Sequence, residues 1–193
     1  MAEARNIHLQ QLCVRLQNYT EEVRRLFASY SPVQLNWKPH ETSWSIAQCI
    51  DHIIISDQQY FKNIKKAIDQ TITGALTEKK PYRPGCIARF SIYAQRPGFL
   101  LKFKTAPSFR PSARTEGKKI LEDFILHEQE LLVLIKKCDG WDINTIKLYS
   151  PANSHLKFSL GECFSILVTH QERHLHQARS VSQRVEFPKG IQA

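Results

Sequence analysis

At 193 residues and 22.4 kDa the chain has the length of one domain, read here as a single domain over 1–193. With 42% apolar and 23% charged residues it is globular in composition rather than disordered. Its longest aliphatic run, at 131–135, is far too short to span a membrane. The net charge is +9, and the window 79–119 alone carries eleven lysines and arginines against Glu116, so the excess is concentrated there.

The first predicted helix covers 4–30, with Leu12, Leu16, Tyr19, Val23, Leu26 and Tyr30 at steps of three and four and Ser31-Pro32 as its stop. A second helix, 43–72, opens on the capping box Ser45-Ile46-Ala47-Gln48, and Ile46, Ile50, Ile53, Ile54, Phe61, Ile64 and Ile68 form its apolar stripe. A third, 112–139, starts near Pro111-Ser112 and runs through Leu121, Phe124, Leu131 and Ile135 to Gly140, a suitable C-terminal residue. A fourth, 159–184, opens on a second capping box, Ser159-Leu160-Gly161-Glu162. Four such helices with one long and two shorter links read as an all-α four-helix bundle, with a long crossover connection between the second and third.

That long connection, 75–111, has no helical period, although Leu101-Lys102-Phe103-Lys104 alternates like a short strand. Connections of this length in compact domains are usually functional. The window 79–119 interleaves its basic residues with six aromatics and five of the nine prolines. Such a mixture suits three roles: tracking a nucleic-acid backbone while stacking bases, funnelling a small anion, or a solvated link anchored by its aromatics. The stretch 141–157 is read as a second, shorter connection.

Three of the eight histidines fall in the fourth helix. His170 and His174 stand at i and i+4, so both rings project from one face, the spacing by which a helix offers two imidazoles to one metal. A solvated helix face is the alternative. Gln177 follows on the same face and can bond a ligand or a water; His176 points away. His52, beside the second helix's apolar stripe, is either a satisfied core histidine or the third nitrogen of the set, if the second and fourth helices touch. Three protein ligands would leave coordination positions open for substrate. Arg173 either holds an anionic substrate group or pairs at the surface. Cys49 and Cys163 lie near the histidines in sequence and read as buried structural thiols. Neither Asp51 nor Asp57 stands clearly on the face of His52, so no general base is identified. The five cysteines include no C-x-x-C pair and the first residues form no secretory signal, which points to a cytoplasmic protein with reduced thiols.

The segment Leu35-Asn36-Trp37-Lys38-Pro39, followed by Trp44-Ser45-Ile46-Ala47-Gln48-Cys49-Ile50-Asp51-His52, resembles the opening motif of the DinB/YfiT-like superfamily. Ser159-Leu160-Gly161-Glu162, leading to His170-Gln171-Glu172-Arg173-His174 and Gln177, resembles its closing motif. Lys102-Phe103-Lys104-Thr105 before Pro107 and Pro111 is similar to the family's connection into its third helix. The resemblance implies a four-helix bundle, often a homodimer, with one divalent metal ion, nickel or zinc, held by His52, His170 and His174. It further implies a metal-dependent hydrolase, or a transferase using a low-molecular-weight thiol, and the family's name implies no DNA binding. One departure is that Leu175 and His176 precede Gln177, where the family often has a histidine and then Arg-Gly-Gln.

The leading expectation is thus a metal-dependent enzyme acting on a small anionic or electrophilic substrate, with Arg173 and Gln177 as substrate-binding residues. Its rivals are a non-catalytic nucleic-acid-binding module using the basic 79–119 segment, and a DinB-like protein that has lost its activity.

Overall fold

The computed structural model describes residues 6–71, 81–99, 104–113 and 117–189. Four long helices dominate it: α1 (Ile7–Phe27), α3 (Ile46–Gln70), α5 (Lys119–Lys137) and α6 (Leu160–Ser182). They pack in a ring, with α1 against α5, α5 against α3, α3 against α6 and α6 against α1. Two short helices, α2 (Pro32–Asn36) and α4 (Cys86–Ala94), join them, with a 3₁₀ turn at Pro107–Phe109 and a hairpin of β1 (Lys147–Ser150) and β2 (Asn153–Ser159). Among the described residues no helix is long and apolar enough to cross a membrane.

Both sequence-read capping boxes form. Ser45 Oγ accepts the Gln48 N–H while Gln48 Oε1 accepts the Ser45 N–H, and Ser159 with Glu162 does the same at α6. The other boundaries shift for identifiable reasons. Ser31-Pro32 does not stop α1, which has already ended at Phe27; it opens α2, through a third capping box with Gln34. The third long helix does not begin at 112. There the Ser112 N–H donates to Asp51 Oδ2 and its carbonyl accepts from Gln48 Nε2, so its backbone is tied to the start of α3. Gly117, at φ +48°, then turns the chain into α5 against Pro32.

The expectation of a connection without helical structure is corrected by α4. Only Ala88 and Ala94 of this helix are buried, while Ile87, Phe90 and Tyr93, its apolar residues at steps of three, face outward. It is held from α6 instead. Glu162 Oε1 accepts the Gly85 N–H at its start and Arg173 Nη1 donates to the Ala94 carbonyl at its end. The mostly helical structure is consistent with the all-α expectation and adds one small hairpin, in which Leu148 pairs with Phe158 and both bury their side chains. Its neighbours Lys147, Tyr149, Asn153 and Ser154 are exposed, a pattern too brief to stand out in the 141–157 link. The strand read at Leu101-Lys102-Phe103-Lys104 lies outside the described residues except Lys104, which is in no strand.

The core is in two pieces. One gathers Leu9 to Leu16 of α1, Tyr60 to Ile68, Leu131 to Cys138 and Leu160 to Val168; the other gathers Val23 and Phe27, Ile46 to Ile54, Ile120 to Phe124 and Leu175 to Val181. On α3, α5 and α6 the stretches between the two pieces include buried polar residues: Ser56 and Asp57, His127 and Glu128, Thr169 and Gln171. This polar layer is where the chemistry lies.

Candidate metal centre

His52 enters the layer from α3, and His170 and His174 from α6. Their ligand nitrogens all lie within 4.8 Å of one another, the geometry of a group that could hold a metal ion. His52 Nε2 is 3.2 Å from His170 Nε2, and the ring centroids are 4.4 to 5.0 Å apart. Trp44, one residue before the α3 cap, packs against the rings of His52 and His174.

Two of the three rings have their tautomer set by a hydrogen bond. His52 Nδ1 is 2.6 Å from the Phe109 carbonyl, which can only accept, so Nδ1 carries the proton and Nε2 keeps its lone pair. Ser56 Oγ sits 3.3 Å from the same nitrogen. His174 Nδ1 donates in the same way to Gln177 Oε1 at 3.1 Å, again leaving Nε2 bare. Gln177 therefore orients a ring. The bare Nε2 of His52 needs something positive in front of it, either a proton on His170 Nε2 or a cation shared with it.

Burial suits the group for a cation too. It lowers His52 and His174, the latter to about 3, and pushes His170 well below the ordinary histidine value, where His174 and His52 add to the effect. All three rings are thus neutral at pH 7, the form that ligates. Three neutral nitrogens with a vacant side fit a divalent ion that keeps open positions.

The open side faces a pocket of about 880 Å³. Trp44, Tyr60, Phe99 and Phe109 give it aromatic walls; Lys104, Arg173 and Arg184 give it positive charge, and among the described residues no carboxylate lines it. Arg173 reaches this wall with Nη1 donating to the carbonyls of Ala94 and Arg96. His176 is exposed at the rim. Cys49 and Cys163 are buried outside the pocket, where burial raises their thiols, Cys163 to about 12. Asp51 is engaged with the Ser112 N–H.

One contributor carries no sequence signal: the Phe109 carbonyl arrives through tertiary contact alone, whereas Trp44 stands in the opening motif beside the α3 cap. Ser56 was legible in principle, standing four residues after His52 on the same face. The basic window is divided by the fold. Lys104, Phe99 and Phe109 reach the pocket, whereas Tyr82 is an anchor, stacked on His8 and bonded to Ser165.

A family model described as the DinB superfamily matches residues 15–178. No curated protein and no solved structure matches the chain significantly.

Proposed function

The chain belongs to the DinB superfamily, and on that premise we propose that it is a metal-dependent enzyme, a hydrolase or a low-molecular-weight-thiol S-transferase. His52, His170 and His174 would hold one divalent ion, nickel or zinc. The observation that carries this reading is the pair of tautomer-setting hydrogen bonds, Phe109 carbonyl to His52 and Gln177 to His174, which point bare lone pairs into one space. The ring packing of the long helices supports the finer fold reading as well, a four-helix bundle with a crossover between α3 and α5.

When bound, the ion supplies Lewis acidity and makes a thiol or water a nucleophile near neutral pH. The protein's own residues do the rest. Trp44 shields the rings from solvent on one side, and the aromatic walls accept an apolar body. Lys104 and Arg184 attract an anionic group of the substrate or thiol, while Arg173 adds its charge with one nitrogen already committed to α4. Tyr60, bonded to Ser150 and raised to about 12, is a neutral hydrogen-bonding group at pH 7 rather than a base.

The test is nickel and zinc content of the purified chain beside His170→Ala/His174→Ala. The variant should carry one equivalent less than the parent, and equal contents would overturn the reading. A screen of thiol transfer to electrophiles and of ester and amide hydrolysis then separates the two reaction classes.

A further inference from the structure

A second group of metal-capable side chains lies in the same polar layer but away from the pocket lining. Asp57 of α3 with His127 and Glu128 of α5 place their ligand atoms within 4.8 Å of one another, all three buried. His127 Nε2 is 3.1 Å from Asp57 Oδ2. Gln171 of α6 donates from Nε2 to Asp57 Oδ2 at 2.7 Å and to Glu128 Oε1 at 2.8 Å. Asp57, Glu128 and Gln171 have no solvent exposure at all.

This arrangement is incomplete. Asp57 Oδ1, Glu128 Oε2 and Gln171 Oε1 are buried without a hydrogen-bond partner. No lysine or arginine among the described residues forms an ion pair with either carboxylate. Two carboxyl groups out of contact with water are costly unless something positive joins them. A proton shared between them would partner at most two of the three bare oxygens. A divalent cation would balance both charges and offer several coordination positions at once.

We propose that Asp57, His127 and Glu128, with Gln171 beside them, form a second and fully enclosed divalent-cation site that ties α3, α5 and α6 together. Its donors are two carboxylates and one imidazole, whereas the pocket group has imidazoles alone. Oxygen-rich sets favour harder ions such as Mn²⁺, and nitrogen sets favour nickel or zinc. Enclosure gives it a structural role and slow exchange.

The experiment uses full-length His52→Ala/His170→Ala/His174→Ala protein, produced with added Mn²⁺ or refolded in its presence, then dialysed. Removing the pocket imidazoles makes the outcome independent of the enzyme reading above. About one Mn²⁺ per chain should remain by elemental analysis, with electron spin echo modulation from a single imidazole nitrogen. Glu128→Gln, which keeps the shape, should lower the Mn²⁺ retained at least tenfold, and circular dichroism verifies that the variant is helical. If Glu128→Gln fails to fold, the single-nitrogen signal in the chain with an intact cluster decides the matter. No Mn²⁺ above the dialysis buffer, or Mn²⁺ without nitrogen modulation, would overturn the site and leave the carboxyls joined by a proton.

Discussion

The two polar groups that share the middle of the helices differ in how their hydrogen bonds are completed. In the histidine group, protein acceptors satisfy the outer nitrogens of His52 and His174, and only the inward lone pairs are left open, facing a pocket. In the Asp57 group the open atoms are oxygens sealed inside the core. On the proposals above, the first would exchange what it binds and the second would keep it. On the proposed reading, removing a histidine should abolish metal binding at the pocket, while removing an acid takes an acceptor away from its buried partners.

The sharpest way to break that contrast is Asp57→Ala. It leaves the His127 Nε2 without its acceptor and the Gln171 amide with one of its two, and should cost about 3 kcal/mol or more, a fall in Tm of roughly 10 °C by differential scanning calorimetry. Metal-free His170→Ala removes the hydrogen-bond partner of His52 Nε2, but that nitrogen faces the pocket, where water can replace it, so the fall in Tm should be smaller, about 2 to 4 °C. Equal effects would erase the distinction.

Acidification is expected next. His174 is held near 3 in the folded chain against 6.5 unfolded, so below pH 6.5 the unfolded state binds the extra proton. Stability of the metal-free protein is intact above pH 6.5 and lost progressively towards pH 3, by about 2 kcal/mol at pH 5 from this residue alone. Urea melts at pH 7 and pH 5 measure it, and His174→Ala should flatten the dependence.

Gln177→Ala releases the ring it orients, and should weaken nickel or zinc binding about 10- to 100-fold with little change in Tm. Isothermal titration with each metal reads it, and unchanged affinity would remove Gln177 from the site. The smallest effect is expected from Arg173→Ala. It frees the end of α4, so amide exchange near Ala94 should quicken several-fold while metal affinity holds.

Helix positions were legible wherever a cap and a stripe coincided. Ser45 and Ser159 fell on the observed N-caps because a capping box is a local hydrogen-bond exchange between residues three apart. The pairing of His170 with His174 was legible for the same reason, as helical geometry alone sets it. α4 was not, although Ile87, Phe90 and Tyr93 recur at steps of three, because nine residues are too few for that pattern to stand out and no side chain caps its start; Glu162 and Arg173, some seventy-seven to seventy-nine residues away, hold it. Nor was the start of α5, whose expected first turn is occupied by bonds to Gln48 and Asp51.

By itself, then, the sequence determined the four long helices, the caps of α3 and α6, the histidine pair on α6 and the family motifs, since each depends on residues within a few positions of one another. Only the tertiary structure decided that His52 meets that pair, that a carbonyl in a turn at 107–109 sets its tautomer, and that Asp57, His127, Glu128 and Gln171 converge. Those contacts join residues 43 to 118 positions apart, and no local periodicity records which faces of separate helices come together.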